Sequence, residues 1–230
     1  DLSPEESDKN KYNQQYRLME YLNELPIIQT MIDYIEADDV ISYVAQHKKY
    51  EGWEKVIVSS DKDFFQLISD DCKLYRPIQK QVVDYPTLLE QHQIHPKNFA
   101  LARSLVGDKS DNLPGVPRVG LKTVASKFPF LKESKQYEVE DIMDHCEGLE
   151  KLLKVHENIL EHSVLVENNY EIMQLYSPSI GNMHKKQINF SLKEFEPTMN
   201  KLEITKKLAT DGIDPGSFNI LMNIMKKITL

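Results

Sequence analysis

Apolar residues early in the chain recur about every three positions, which is the spacing of one face of an α-helix. The residues of this face are Tyr16, Met19, Leu22 and Leu25, and the pattern continues until Pro26. Ser3 is a residue type that caps helices, and Pro4 after it is favoured in a first helical turn. The pattern therefore predicts a helix that begins near residue 4.

The next part of the chain combines a helical segment with short runs of β-branched residues. A helix is predicted from about Ala37 to His47, and the continuous run Lys55–Ser59 is typical of a buried parallel strand. Further short strands are predicted near residues 73–75 and, hairpin-like, near 81–83. Elements of these lengths indicate an α/β fold with a parallel sheet.

After about residue 86 the pattern becomes mainly helical, although residues 163–200 are mixed. The predicted helices cover residues 87–91, 96–106, 120–128, 137–144 and 148–162, followed by two stretches within residues 200–229 on either side of a turn at 211–216. We therefore predict a core over residues 1–85 and a helical domain with a helical tail over residues 86–230.

Composition describes an ordinary globular protein and leaves its partner open. The 230 residues are 40% hydrophobic and 28% charged, with no run long enough to cross a membrane and no secretory signal. Two distant cysteines argue against a disulfide scaffold or a zinc site and favour a cytoplasmic location. The net charge of −8 is unexpected for a nucleic-acid binder, unless acids are gathered in a metal site.

Three short acidic motifs carry the candidate chemistry. Their seven carboxylates are Glu36, Asp38, Asp39, Asp61, Asp63, Asp108 and Asp111. Each motif alone has a simpler interpretation. The first would stabilise a helix start, Asp63 would cap a helix over Phe64–Ile68, and the third would form a turn.

The second motif follows a predicted strand, and ligand sites in α/β sheets gather at the carboxyl ends of strands. Seven carboxylates in one place would repel one another strongly without cations. Two divalent ions, Mg²⁺ or Mn²⁺, would turn this arrangement into a site for displacement at phosphorus. Asp61 and Asp63 are then candidate catalytic residues, and Lys62 between them could orient a phosphate.

A glycine-marked segment, Leu113–Val124, follows the third motif and leads into a predicted helix. Glycines let the backbone approach a phosphate closely, and amides at a helix start point toward it. The candidate DNA-binding residues are Gly115, Val116, Arg118, Gly120, Lys122 and Thr123. Residues 103–127, with Arg103 among five cations and with two acids, carry a net charge of +3, which favours this interpretation over an ordinary helical corner.

The series EADD, SSDKDFFQL and GDKSDNLPGVPRVGLKTV, in this order and spacing, resembles the 5′-nuclease family. The family comprises flap endonucleases, the 5′ nuclease domains of bacterial DNA polymerase I, and bacteriophage 5′ exonucleases and ribonuclease H enzymes. The good match covers roughly residues 34–128, and Pro117-Arg118-Val119 departs from the small or apolar linker usual in the family.

The resemblance implies a parallel-sheet (PIN-like) nuclease core and a helix–three-turn–helix motif over residues 107–128 that grips duplex DNA. It implies that the seven acids hold two divalent ions, with a potassium ion at the backbone of residues 115–123. Residues 1–16 would be the distal part of a helical arch. The family's N-terminal strand and its acids are not in this sequence, so the fragment is expected to bind DNA but to cut poorly.

The implied activity is that of a metal-dependent 5′–3′ exonuclease or flap endonuclease in replication or repair. Its substrates would be DNA with a 5′ flap, nick or 5′ end, or an RNA–DNA hybrid. The expected protein is a monomer in a bacterial cell or phage-infected host, with replication proteins as partners and no membrane contact. The alternatives are a non-catalytic structure-specific DNA-binding module and a phosphatase for small substrates.

Overall fold

The computed structural model describes residues 3–227, which form two units. The central unit is Ile35–Ile180, and the terminal unit combines residues 3–34 with residues 181–227. This division differs from the predicted boundary after residue 85. The reason is that one continuous apolar core extends from Ile57 in the sheet to Leu175 beyond the helices.

The elements follow one another as the sequence pattern predicts, with a few local differences. The helices are α1 (Pro4–Leu22), α2 (Ala37–Ala45), α3 (Tyr85–His92), α4 (Phe99–Val106), α5 (Leu121–Lys127), α6 (Val139–Glu147), α7 (Lys154–Glu161), α8 (Ser163–Met173), α9 (Asn182–Glu194), α10 (Lys201–Thr210) and α11 (Asn219–Lys226). The strands are β1 (Lys55–Val58), β2 (Cys72–Arg76) and β3 (Gln81–Val83). The helix expected over residues 148–162 begins only at Lys154, and the tail residues 228 and 229 lie outside the described residues.

The sheet of the central unit has the order β1-β2-β3. β1 and β2 are parallel, with Ile57 beside Leu74, whereas β3 returns antiparallel to β2, with Val83 beside Leu74. These three side chains are buried on one face of the sheet. The sheet is therefore mixed. The strand predicted near residues 81–83 is confirmed as hairpin-like, because the short connection from β2 to β3 allows only a hairpin.

The prediction of a buried parallel strand at Lys55–Ser59 is confirmed for the strand and its parallel pairing, but only one face of the strand is buried. Val56 and Val58 are 52% and 64% exposed, and with Ile41 of α2 they line an apolar groove of about 570 Å³. Among the described residues β1 pairs only with β2, and its Val56 and Val58 face is left open. A continuous run of β-branched residues predicts that both faces of a strand are buried. It does not show whether other elements of the protein cover both of those faces.

Helix α4 lies at the centre of this unit and sets the position of the third acidic motif. Every residue from Phe99 to Leu105 is buried, and α4 packs against α5 and α8. Gly107 ends the helix with φ of +75°, which directs the chain into Asp108. The helix thus places one acidic motif and joins it to the glycine-marked segment.

The terminal unit has its own small core, in which Leu25 packs with Ile204, Leu208 and Met222. Its helix α1 begins as predicted, since Ser3 and Glu6 form a capping box and Pro4 is the first helical residue. No helix within residues 3–227 is long and apolar enough to cross a membrane.

Candidate functional site

The first acidic motif lies at the start of α2. Glu36 is the residue before the helix, and its side chain makes no capping hydrogen bond. Asp39 Oδ1 accepts a hydrogen bond from the backbone N–H of Ser179 (3.3 Å). Glu36 is exposed, whereas Asp38 and Asp39 are half-buried.

The second motif follows the carboxyl end of β1. The N–H of Asp61 donates to Ser59 Oγ (3.1 Å), and the N–H of Asp63 donates to Asp61 Oδ1 (2.9 Å). Asp63 does not cap a helix over Phe64–Ile68 because it is itself the first residue of a 3₁₀ turn, Asp63–Leu67. Lys62 is exposed beside these acids.

The third motif forms a tight loop after α4. The backbones of Asp108 and Leu113 pair with each other (N···O 2.9 and 2.7 Å), which closes the loop. Asp108 Oδ1 also accepts the N–H of Ser110 (2.8 Å). Carboxylate oxygens of Asp63, Asp108 and Asp111 come within 4.8 Å of one another, which is close enough for a shared metal ion.

One cleft of about 530 Å³ collects the acids of all three motifs. Those that line it directly are Glu36, Asp38, Asp39, Asp61, Asp63 and Asp111, while Asp108 lies beside Asp63 and Asp111. Glu171 of α8 is an eighth carboxylate in the lining. The sequence reasoning missed it, because it is far along the chain and belongs to no motif.

The pKa values of several acids in the cleft are shifted by burial and by the neighbouring charges. Burial, the largest cause, raises the pKa of Asp63 to about 6, although Arg103 acts in the opposite direction. Burial and the neighbouring Asp61 and Glu36 also raise the pKa of Asp38. Hydrogen bonds from Ser110 lower the pKa of Asp108. Ionised acids that are half-buried without a cation are unfavourable, and hard divalent cations suit such oxygen ligands.

Arg103 is the cation that the structure places inside this cluster. It is buried in α4, its Nε lies 3.3 Å from Asp63 Oδ1, and its terminal guanidinium nitrogen pairs with Asp108. Including Arg103 in a basic surface around residues 103–127 was therefore wrong. A sequence count of charges does not distinguish a side chain that points inward from one that points to solvent.

The glycine-marked segment is packed tightly against α4. A Cβ on Gly115 would lie 1.9 Å from the carbonyl oxygen of Val106, and one on Gly107 would lie 2.3 Å from the amide nitrogen of Gly115. Asn169 of α8 fixes the same segment by donating to Pro114 O (2.9 Å) and Ser104 O (3.0 Å). Gly115 is thus required by the protein's own backbone, so close phosphate approach is not needed to explain it.

The candidate DNA-binding residues separate into buried and accessible ones. Val116 is 3% exposed and its N–H donates to Leu105 O, so the prediction that it contacts DNA is wrong. Arg118 is exposed and has a left-handed backbone (φ +64°). Lys122 is exposed and Thr123 half-buried in the first turn of α5, while a Cβ on Gly120 would meet no atom within 4 Å.

Comparison with known families gives a match over part of the chain. Residues 5–95 match the model of the 5′-3′ exonuclease, N-terminal resolvase-like domain. Relatives include a 5′-3′ exonuclease of Buchnera aphidicola (Schizaphis graminum), 37% identical over 124 residues, which are 53% of this chain and 43% of that protein. The thermostable DNA polymerase I of Thermus aquaticus is 41% identical over 88 residues, which are 38% of this chain and 10% of that protein.

Solved structures show the same fold. A phage T5 5′-exonuclease with divalent metal ions (zinc) bound has a TM-score of 0.65 at 19% identity, covering 84% of this chain and 72% of that one. The phage T5 flap endonuclease in a pseudo-enzyme-product complex with DNA and metal ions has a TM-score of 0.59 at 19% identity, covering 77% and 62%. The chain spans about half the length of the curated 5′-3′ exonucleases it matches.

Proposed function

We propose that the chain is a member of the 5′-3′ exonuclease family, whose N-terminal domain model matches residues 5–95, and that it is a metal-dependent 5′ nuclease acting on the DNA backbone. The observation that carries the proposal is the convergence of three acidic motifs in one cleft. Within it, carboxylate oxygens of Asp63, Asp108 and Asp111 lie within 4.8 Å of one another. Acids so crowded are accounted for by a bound cation.

The acids of the cleft hold two divalent ions, as the donor set fits Mg²⁺ or Mn²⁺. Asp63, Asp108 and Asp111 form one group of ligands, and Glu36, Asp38, Asp39 and Asp61 supply the others, directly or through water. When bound, such ions activate water and stabilise the leaving oxygen of a phosphodiester. Lys62 is exposed between Asp61 and Asp63 in the chain, where its ammonium group can orient the phosphate.

The accessible part of the glycine-marked segment contacts duplex DNA beside the cut, in the manner of a helix–three-turn–helix. Arg118 and Lys122 meet backbone phosphates, Thr123 donates its hydroxyl, and the open space at Gly120 lets a phosphate reach the backbone. These contacts position the strand without reading its sequence.

The proposal has several finer parts. The substrates are 5′ flaps, nicks and 5′ ends of DNA, with RNA–DNA hybrids as a second class. Mg²⁺ or Mn²⁺ is the working ion, and a potassium ion binds the backbone of the glycine-marked segment. The protein acts as a monomer alongside replication proteins.

A labelled 5′-flap oligonucleotide tests the proposal. Asp61→Asn and Asp111→Asn change exposed carboxylates of the cleft, so the protein is expected to fold but to lose cleavage at least ~100-fold with Mg²⁺ or Mn²⁺. Asp70→Asn, at an exposed acid outside the cleft lining, is the matched control and should retain activity.

The same assay separates the alternative functions. DNA binding without cleavage by the native protein, with no Mn²⁺ binding, would identify a non-catalytic DNA-binding module. Hydrolysis of mononucleotides alone would identify a phosphatase for small substrates.

A further inference from the structure

Arg103 occupies a position that neither packing nor DNA contact explains. Its side chain is 11% exposed, and the carboxylates it contacts, Asp63 and Asp108, are 15% and 17% exposed. A guanidinium so deeply placed cannot serve a surface phosphate. It is surrounded by apolar neighbours in α4, where an unpaired charge would be very unfavourable.

The two carboxylates that Arg103 joins belong to different motifs. Asp63 follows β1, whereas Asp108 follows α4, and both lie with Asp111 in the group that could share a metal ion. Ser110 already donates to Asp108 Oδ1, so the guanidinium takes the remaining oxygen, Oδ2. A cation that binds Asp63 Oδ1 or Asp108 Oδ2 must therefore share an oxygen to which Arg103 donates.

We propose that Arg103 is an internal counter-ion which holds Asp63 and Asp108 together in the metal-free protein and competes with a divalent ion for them. The proposal rests on the proposed function, since it assumes that the cleft binds a metal. Arg103 is a positioning residue here and makes no contact with substrate. Its charge keeps the ligands in place before the ion arrives and lowers the affinity of the site for that ion.

Two opposite effects follow from removing the charge. Without metal, Arg103→Gln leaves buried carboxylates without a partner, so the melting temperature in EDTA should fall. With metal, the repulsion between the guanidinium and the divalent ion is gone. Mn²⁺ should then bind at least about tenfold more tightly, equivalent to ~1.4 kcal/mol. A purely structural arginine would produce the first effect and not the second.

Calorimetric titration with Mn²⁺ near neutral pH, with melting curves in EDTA and in saturating Mn²⁺, tests this. Arg103→Lys keeps the charge and should bind Mn²⁺ within about threefold of the native protein. Lys55→Gln removes a partly buried cation that pairs with Asp71 (2.9 Å) outside the cleft, and should leave Mn²⁺ affinity unchanged. Competition would be supported if the melting temperature of Arg103→Gln is below that of the native protein in EDTA but returns to the native value in saturating Mn²⁺.

Several results would overturn the proposal. Weaker or unchanged Mn²⁺ binding by Arg103→Gln would mean that the guanidinium orients the ligands or is merely structural. If Arg103→Gln does not fold even with Mn²⁺, the Mn²⁺ affinity of Arg103→Lys becomes the test. Tighter Mn²⁺ binding by Arg103→Lys, which retains the charge, would contradict competition. An affinity equal to that of the native protein would support competition. Failure of the native protein to bind Mn²⁺ at all would instead refute the metal site of the proposed function.

Discussion

The raised pKa of Asp63 gives a quantitative expectation for stability. In the metal-free protein this carboxyl titrates at about 6, against an ordinary value of 3.8, chiefly because it is buried. A difference of about two pH units corresponds to roughly 3 kcal/mol. The folded state binds the proton more tightly than the unfolded state, so this group lowers the free energy of unfolding as pH rises from about 4 to about 6.

Asp63→Asn should therefore stabilise the metal-free protein near neutral pH, by up to roughly 3 kcal/mol or on the order of 5–10 °C in melting temperature. Arg103 retains Asp108 as its partner in this variant. Well below the ordinary pKa of 3.8 the variant and the native protein should be equally stable, because Asp63 is then protonated in both folded and unfolded states.

The assay is urea or thermal unfolding in EDTA across this pH range, with the difference between variant and native protein as the readout. The lowered pKa values of other acids, such as Asp71 and Asp84, make stability rise with pH. Their contributions are the same in the variant and the native protein, so they cancel in the difference. Saturating Mn²⁺ should reverse the order, because the variant has lost a ligand. A variant that is less stable than the native protein in EDTA near pH 7 would refute the reasoning.

Two further expectations concern the glycine-marked segment. Gly115→Ala should lower the free energy of unfolding by roughly 3 kcal/mol or more, because the added Cβ would clash with Val106 O. Gly120→Ala should lower it by less than ~1 kcal/mol and should mainly weaken DNA binding. Equal losses of melting temperature would contradict this. Arg118→Gly should raise the free energy of unfolding by about 1 kcal/mol, because glycine adopts the left-handed backbone of this position without strain. It should also lower the salt dependence of flap-DNA binding, measured by fluorescence anisotropy, by the equivalent of about one phosphate contact.

Much of the cleft could be predicted because its chemistry is encoded locally. Asp61 and Asp63 follow a strand recognisable from its β-branched run, and the carboxyl ends of strands are where ligand sites form. Glu36 precedes a helix with a clear pattern. Each of these positions depends on an element that the sequence pattern determines, so placing the elements also placed the acids.

The missed residues depend on tertiary contacts instead. Glu171 enters the cleft from α8, and no short-range spacing links it to the motifs. Val116 belongs to a segment that predicts a phosphate contact, yet its side chain is in the core and its amide bonds to Leu105 O. Which residues of an irregular turn face inward depends on the elements packed against it, and here these are α4 and α8.

Arg103 alters the electrostatic account of the whole chain. The net charge is −8, and the seven acids of the motifs account for −7 of it, so the other residues together carry about −1. An acidic total is therefore compatible with a DNA-binding surface, because the negative charge is concentrated where cations would offset it. Arg103 partly neutralises these acids from within the cluster, whereas Arg118 and Lys122 are exposed to solvent. The formal charge of a protein thus says little about nucleic-acid binding until the acids gathered in one cleft are separated from those spread over the rest of the surface.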